Sequence, residues 1–106
     1  MRIIDTGTDV KCLTGDNCPQ LKIGDKLYIV DDRKSTYDKI QAIYADETAD
    51  NKDDKMFELA LGKEACKEIL ADIKVTEYQN LVFYVMSAIT GEDYETLKKA
   101  AAERKN

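Results

Sequence analysis

The hydrophobic period of this chain changes once, and that change constrains the fold more than any other feature. Up to Val30 the apolar residues alternate with polar ones as they do in strands. From Ser35 onward they recur every three or four residues, as on one face of a helix. The pattern reads as an α+β domain: an N-terminal β-hairpin or small antiparallel sheet (residues 1–31), then a bundle of four or five short helices (residues 35–106). With 106 residues the chain has the length of a single domain, 1–106, with one modest core.

Within the first part, Arg2-Ile3-Ile4-Asp5 reads as a short strand ended by Thr6-Gly7, and Val10, Cys12 and Leu13 as a weak second one. The turn-rich Thr14-Gly15-Asp16-Asn17 closes it, and Pro19 confines its surroundings to a loop or a strand edge. Leu21-Lys22-Ile23 and Leu27-Tyr28-Ile29-Val30 are the clearest strands, joined by Gly24-Asp25-Lys26 as a hairpin loop. Leu21 and Ile23 share a face, as do Leu27 and Ile29, so one side of the hairpin is expected to meet the helices. Two strands alone are marginal in water, and the helix around Tyr78 to Ile89 is the expected support.

The helical part is punctuated by caps. Ser35, with Asp38 three residues on, reads as an N-cap for a helix carrying Tyr37, Ile40, Ile43 and Tyr44. The stretch Asp46 to Asp54 reads as an exposed acidic connection. It is not a calcium loop, for it lacks the central glycine and the glutamate at the twelfth position. Met56, Phe57, Ala60 and Leu61 begin the next helix, which Gly62 ends or kinks. Ala65, Cys66, Ile69, Leu70 and Ile73 continue the stripe. Thr76 and Gln79 read as a capping pair for the segment with Tyr78, Leu81, Val82, Val85, Met86 and Ile89. That segment is the most apolar helix and the expected centre of the core. After Thr90-Gly91, acids open a final helix and Lys98, Lys99, Arg104 and Lys105 lie towards its end, complementing the helix dipole.

Composition removes several function classes. A net charge of −5, with lysines interleaved among carboxylates, argues against nucleic-acid binding. No apolar run approaches the roughly 20 residues that span a bilayer. The Met1–Asp5 opening carries no signal-peptide core, so a cytoplasmic location is expected. There is no histidine, the commonest general base and metal ligand, and no Gly-rich phosphate loop. Cys12, Cys18 and Cys66 are three thiols without pairing logic or zinc spacing, and Cys66 falls on an apolar helix face. The chain is therefore expected not to be an enzyme and to have no catalytic residue, metal ligand or cofactor.

At the helical half, Phe57-Glu58-Leu59-Ala60-Leu61-Gly62-Lys63-Glu64-Ala65, Thr76-Glu77-Tyr78-Gln79-Asn80-Leu81 and Ile89-Thr90-Gly91-Glu92-Asp93-Tyr94 follow one another in a familiar succession. It resembles small tail-assembly and tail-chaperone proteins of siphophages and prophages of Gram-positive bacteria. The Ile3-Ile4-Asp5-Thr6-Gly7 opening before a hairpin is similar in style. The resemblance implies a non-enzymatic protein, in the cytoplasm of the bacterial host, that binds a tail-tube or tape-measure protein during virion assembly. Two other readings stand beside it. One is a small acidic regulator or inhibitor occupying a basic site on a host protein; the other is a cysteine-based metal or redox module.

The expected partner surface lies on the final helix. Its sparse stripe of Tyr94, Leu97 and Ala101 is small for a core, yet the helix is well matched to its dipole and should form as a unit. Such a helix can dock into a groove of another protein, or of a second copy in a homo-oligomer. The alternative is a peripheral helix that closes the domain's own core.

Overall fold

The computed structural model describes residues 2–5 and 18–104. Two strands, β1 (Gln20–Ile23) and β2 (Lys26–Ile29), form an antiparallel hairpin. Five helices follow: α1 (Lys34–Ala45), α2 (Lys52–Leu61), α3 (Lys63–Asp72), α4 (Val75–Thr90) and α5 (Tyr94–Arg104). The α+β architecture read from the sequence is present. Residues 2–5 are not a strand, and Ile3 and Ile4 are exposed. The second predicted strand, at Val10 to Leu13, lies outside the described residues.

The hairpin turns on two residues rather than three. Ile23 pairs with Lys26, leaving Gly24-Asp25 as the loop, and Gly24 takes a φ of 63° that glycine adopts without steric cost. That register places Leu21 opposite Tyr28 and Lys22 opposite Leu27. Leu21, Ile23 and Tyr28 therefore share the face towards the helices, while Leu27 and Ile29 point the other way. Burial agrees: Leu21 and Tyr28 pack against the core, and Leu27 and Ile29 are 60% and 62% exposed. The hairpin lies against α4 through β1, as expected, and against α3 through Lys26 and Tyr28 of β2, which both donate to the Glu68 carboxylate.

Behind the hairpin the chain is locked to α2. The Val30 N–H donates to the Pro19 carbonyl (2.9 Å), and the Asp31 N–H to Ala60 (2.7 Å), one of the carbonyls that the end of α2 leaves unpaired. The Asp31 carboxylate then organises the start of α1. It accepts from the Arg33 backbone N–H at 3.1 Å, from the Arg33 guanidinium at 2.8 and 3.0 Å, and from the Thr36 hydroxyl at 2.8 Å. The Arg33 guanidinium, helped by these hydrogen bonds, holds the Asp31 carboxyl down at about 2. Ser35 is thus not the cap. Helix α1 begins at Lys34, and Asp38 pairs instead with Lys34 one turn earlier, at 2.8 Å.

Helix α2 is the hub. It buries Met56, Phe57 and Ala60 at i, i+1 and i+4 and packs against α1, α3 and α4. From α1 come Thr36 and Ile40, from α3 Cys66 and Ile69, and from α4 Leu81 and Val85, with Val30 closing the hairpin side. The expectation that α4 forms the core's centre is corrected by this geometry. Only Leu81 and Val85 of α4 are buried, while Val75 is largely and Tyr84 about half exposed. Its N-terminal cap also differs from the Thr76–Gln79 pair: the helix begins at Val75, and Glu77 reaches back to accept from the Lys74 N–H at 3.0 Å.

Gly62 ends α2 rather than kinking it, and α3 starts at the next residue. Its φ of 87° and ψ of 156° belong to a region that essentially only glycine occupies. A Cβ there would meet open space, so substitution acts through the backbone alone. Gly62→Ala is expected to destabilise the domain by about 1–3 kcal/mol. Denaturant titration checks this, with the m-value unchanged because the native surface is the same.

Candidate functional site

The stretch Asp46 to Asp54 is not wholly an exposed connection, because its last residues belong to α2. Asp53 accepts a hydrogen bond from the Tyr44 hydroxyl of α1 at 2.6 Å, and Asp54 accepts one from the Tyr78 hydroxyl of α4. Burial, reinforced by the neighbouring carboxylate, pushes both tyrosine hydroxyls well above the ordinary phenol range. The Tyr78 ring also meets Phe57 edge-on, with centroids 5.4 Å apart. These two pairs pin the first turn of α2 between α1 and α4. They are structural groups, and Tyr78 also borders a small cleft with Ile73, Lys74, Val75 and Gln79.

A concavity lies where the hairpin crosses α3 and α4. It is an open groove of about 530 Å³. Its floor is aliphatic: Ile69 and Ile73 from the end of α3, Leu81 from α4 and Ile23 from the hairpin. Tyr28 and Tyr84 stand at its sides. Its rim is acidic, with Glu68, Asp72 and Glu77 against one cation, Lys22. Glu68 is held ionised by Lys26, which is why its carboxyl lies below the usual range. Asp72 occupies the last position of α3, where the helix dipole disfavours a negative charge.

A second cleft flanks the first, formed by Gln20 to Ile23 of β1 with Leu81 and Tyr84 of α4. Beyond it the outer face of the hairpin carries Leu27 and Ile29. Large apolar side chains thus remain open to water on both faces of the hairpin, Ile23 on the inner and Leu27 and Ile29 on the outer.

The sequence-predicted partner residues sit elsewhere. Tyr94, Leu97 and Ala101 are all half-buried on α5. The Tyr94 ring stacks on Tyr84 of α4 at 4.0 Å between centroids, meets Phe83 edge-on at 6.3 Å, and donates its hydroxyl to Asn80 at 3.2 Å. Lys98 lies over its other face. Tyr94 is therefore used to dock α5 onto α4. The groove was missed in the sequence because its residues come from three separated segments. The one local sign was Ile73, the last member of the α3 stripe, which continues past the helix's buried residues.

Of the thiols, Cys18 is exposed and Cys66 is buried in the core, where burial pushes its thiol up. Cys12 lies outside the described residues. Among the described residues no cluster of side chains suited to a metal ion occurs, and no helix is long and apolar enough to cross a membrane. Comparison with family models, with curated proteins and with solved structures finds no match.

Proposed function

We propose that this chain is a non-enzymatic protein of phage or prophage tail assembly, which acts by binding another tail protein. The observation that carries a binding role is the apolar surface around the hairpin and α4. Leu27 and Ile29 are more than half exposed on the outer face of the hairpin, and Tyr84 is 47% exposed beside an aliphatic groove. A two-stranded hairpin gains nothing for its own stability by presenting aliphatic side chains to water on its outer face. Large apolar side chains exposed beside a groove are characteristic of protein interaction sites. The class of partner, a tail-tube or tape-measure protein, comes from the resemblance of the helical segments to tail-assembly proteins. The final helix, with Leu97 and Ala101, supplies a secondary contact next to this surface.

Co-expression with the products of its neighbouring genes tests the proposal. A tail protein is expected to co-purify with the chain. The pair Leu27→Ser and Ile29→Ser should release it while lowering the melting temperature by less than about 5 °C, because both side chains are already largely in water. Tyr94→Ser with Leu97→Ser should lower the melting temperature clearly, because the Tyr84–Tyr94 stack is lost. Failure of any tail protein to co-purify, with a basic host protein retained instead, would favour the acidic regulator.

A further inference from the structure

Resting on that binding role, we infer that the groove beneath the hairpin accepts a cationic amphipathic segment of the partner, with aliphatic side chains on the floor and Lys or Arg along the rim. The floor and the rim argue separately. Ile69 and Leu81 are almost fully buried, but Ile73 and Ile23 are not, so the floor passes without a break from core to open surface. Its volume of about 530 Å³ is within the range that buries a bound group of several side chains. A segment that fills it covers Ile23, Ile73 and the open edge of Tyr84 with aliphatic atoms.

The rim sets the sign of the charge. Three carboxylates face one lysine, and only Glu68 among them has a cation, Lys26, already attached. Glu77 uses one oxygen on the Lys74 N–H and keeps the other. Asp72 makes no ion pair or side-chain hydrogen bond with a described residue. Its position at the end of α3 costs the helix stability, since a cation is what that terminus favours. A carboxylate placed against the dipole, at the lip of an aliphatic groove, contributes nothing to folding and gains a role when a partner's cation arrives. A cationic segment relieves that unfavourable charge, whereas an anionic one adds to it.

The test uses two fluorescent probe peptides of equal length. Both carry leucines at i, i+3, i+4 and i+7, one with lysines and the other with glutamates between them. The lysine probe is expected to bind at least tenfold more tightly at low salt, to weaken as salt is raised, and to shift the amide resonances of Asp72, Ile73 and Leu81. Asp72→Lys is the decisive variant. It suits the end of α3, so the melting temperature should hold or rise, yet the preference for the lysine probe should fall severalfold. Ile73→Glu should abolish binding of that probe. Equal binding of both probes, or a preference unaltered by Asp72→Lys, overturns the inference. No tail protein enters this experiment, so it fails or succeeds independently of the co-purification.

Discussion

Val85→Asp is expected to abolish the cooperative thermal transition and most of the helical circular dichroism. Val85 is 0% exposed, on the face of α4 that meets α2. A carboxylate there has no cation to pair with among the buried residues around it, and an unpaired buried charge costs several kcal/mol. That is a large share of the roughly 5–15 kcal/mol by which a domain is stable. The control is the same change ten residues earlier on the same helix. Val75 is 87% exposed and is the first residue of α4. Val75→Asp should be neutral or slightly stabilising, because an acid in the first turn complements the dipole. Unchanged melting of Val85→Asp would remove α4 from the core; equal damage from both variants would mean that the loss does not come from burying the charge.

The division into hairpin and helices was legible because it depends only on the period of apolar residues, which is local. What failed depended on register or on partners distant in sequence. The hairpin faces are an instance. Reading Gly24-Asp25-Lys26 as a three-residue loop would set Ile23 opposite Leu27, and Leu27 and Ile29 would join Leu21 on the inner face. The chain turns on two residues, and a slip of one residue moves every side chain of a strand to the other face. Leu27 and Ile29 thereby pass from core candidates to the most open apolar residues of the hairpin.

Asp53 and Asp54 fail for a different reason. Their composition matches a solvated connection, but their partners Tyr44 and Tyr78 lie 9 and 24 residues away. No local pattern marks an acid that will accept from a half-buried phenol. Both caps lie two residues earlier than expected, at Arg33 and Lys74, because side chains outside the expected boxes, Asp31 and Glu77, supply the acceptors. The groove was illegible as a site for the same reason as the tyrosine pairs: β1, α3 and α4 meet only in the folded chain.

The strongest test of which helix organises the core is Phe57→Ala. Hydropathy favours α4, the most apolar segment, but apolarity measures what a helix could bury and not what it does bury. Phe57 is 0% exposed, belongs to the helix that packs against α1, α3 and α4, and makes a T-shaped contact with the Tyr78 ring. Its truncation removes a fully buried ring and leaves a cavity, for an expected loss of about 3–5 kcal/mol. The aromatic contact contributes about 0.5–1.5 kcal/mol of that. For a domain of this size each kcal/mol lowers the melting temperature by about 4–8 °C. Ile89→Ala on α4 is the comparison: Ile89 is only half-buried at the margin of the core, and its loss should cost about 1–2 kcal/mol. Denaturant titration of both variants orders the two helices. A loss from Ile89→Ala equal to or greater than that from Phe57→Ala would return the centre of the core to α4. The expected order, with Phe57 far ahead, leaves the outer side chains of α4 free to serve the groove and the docking of α5.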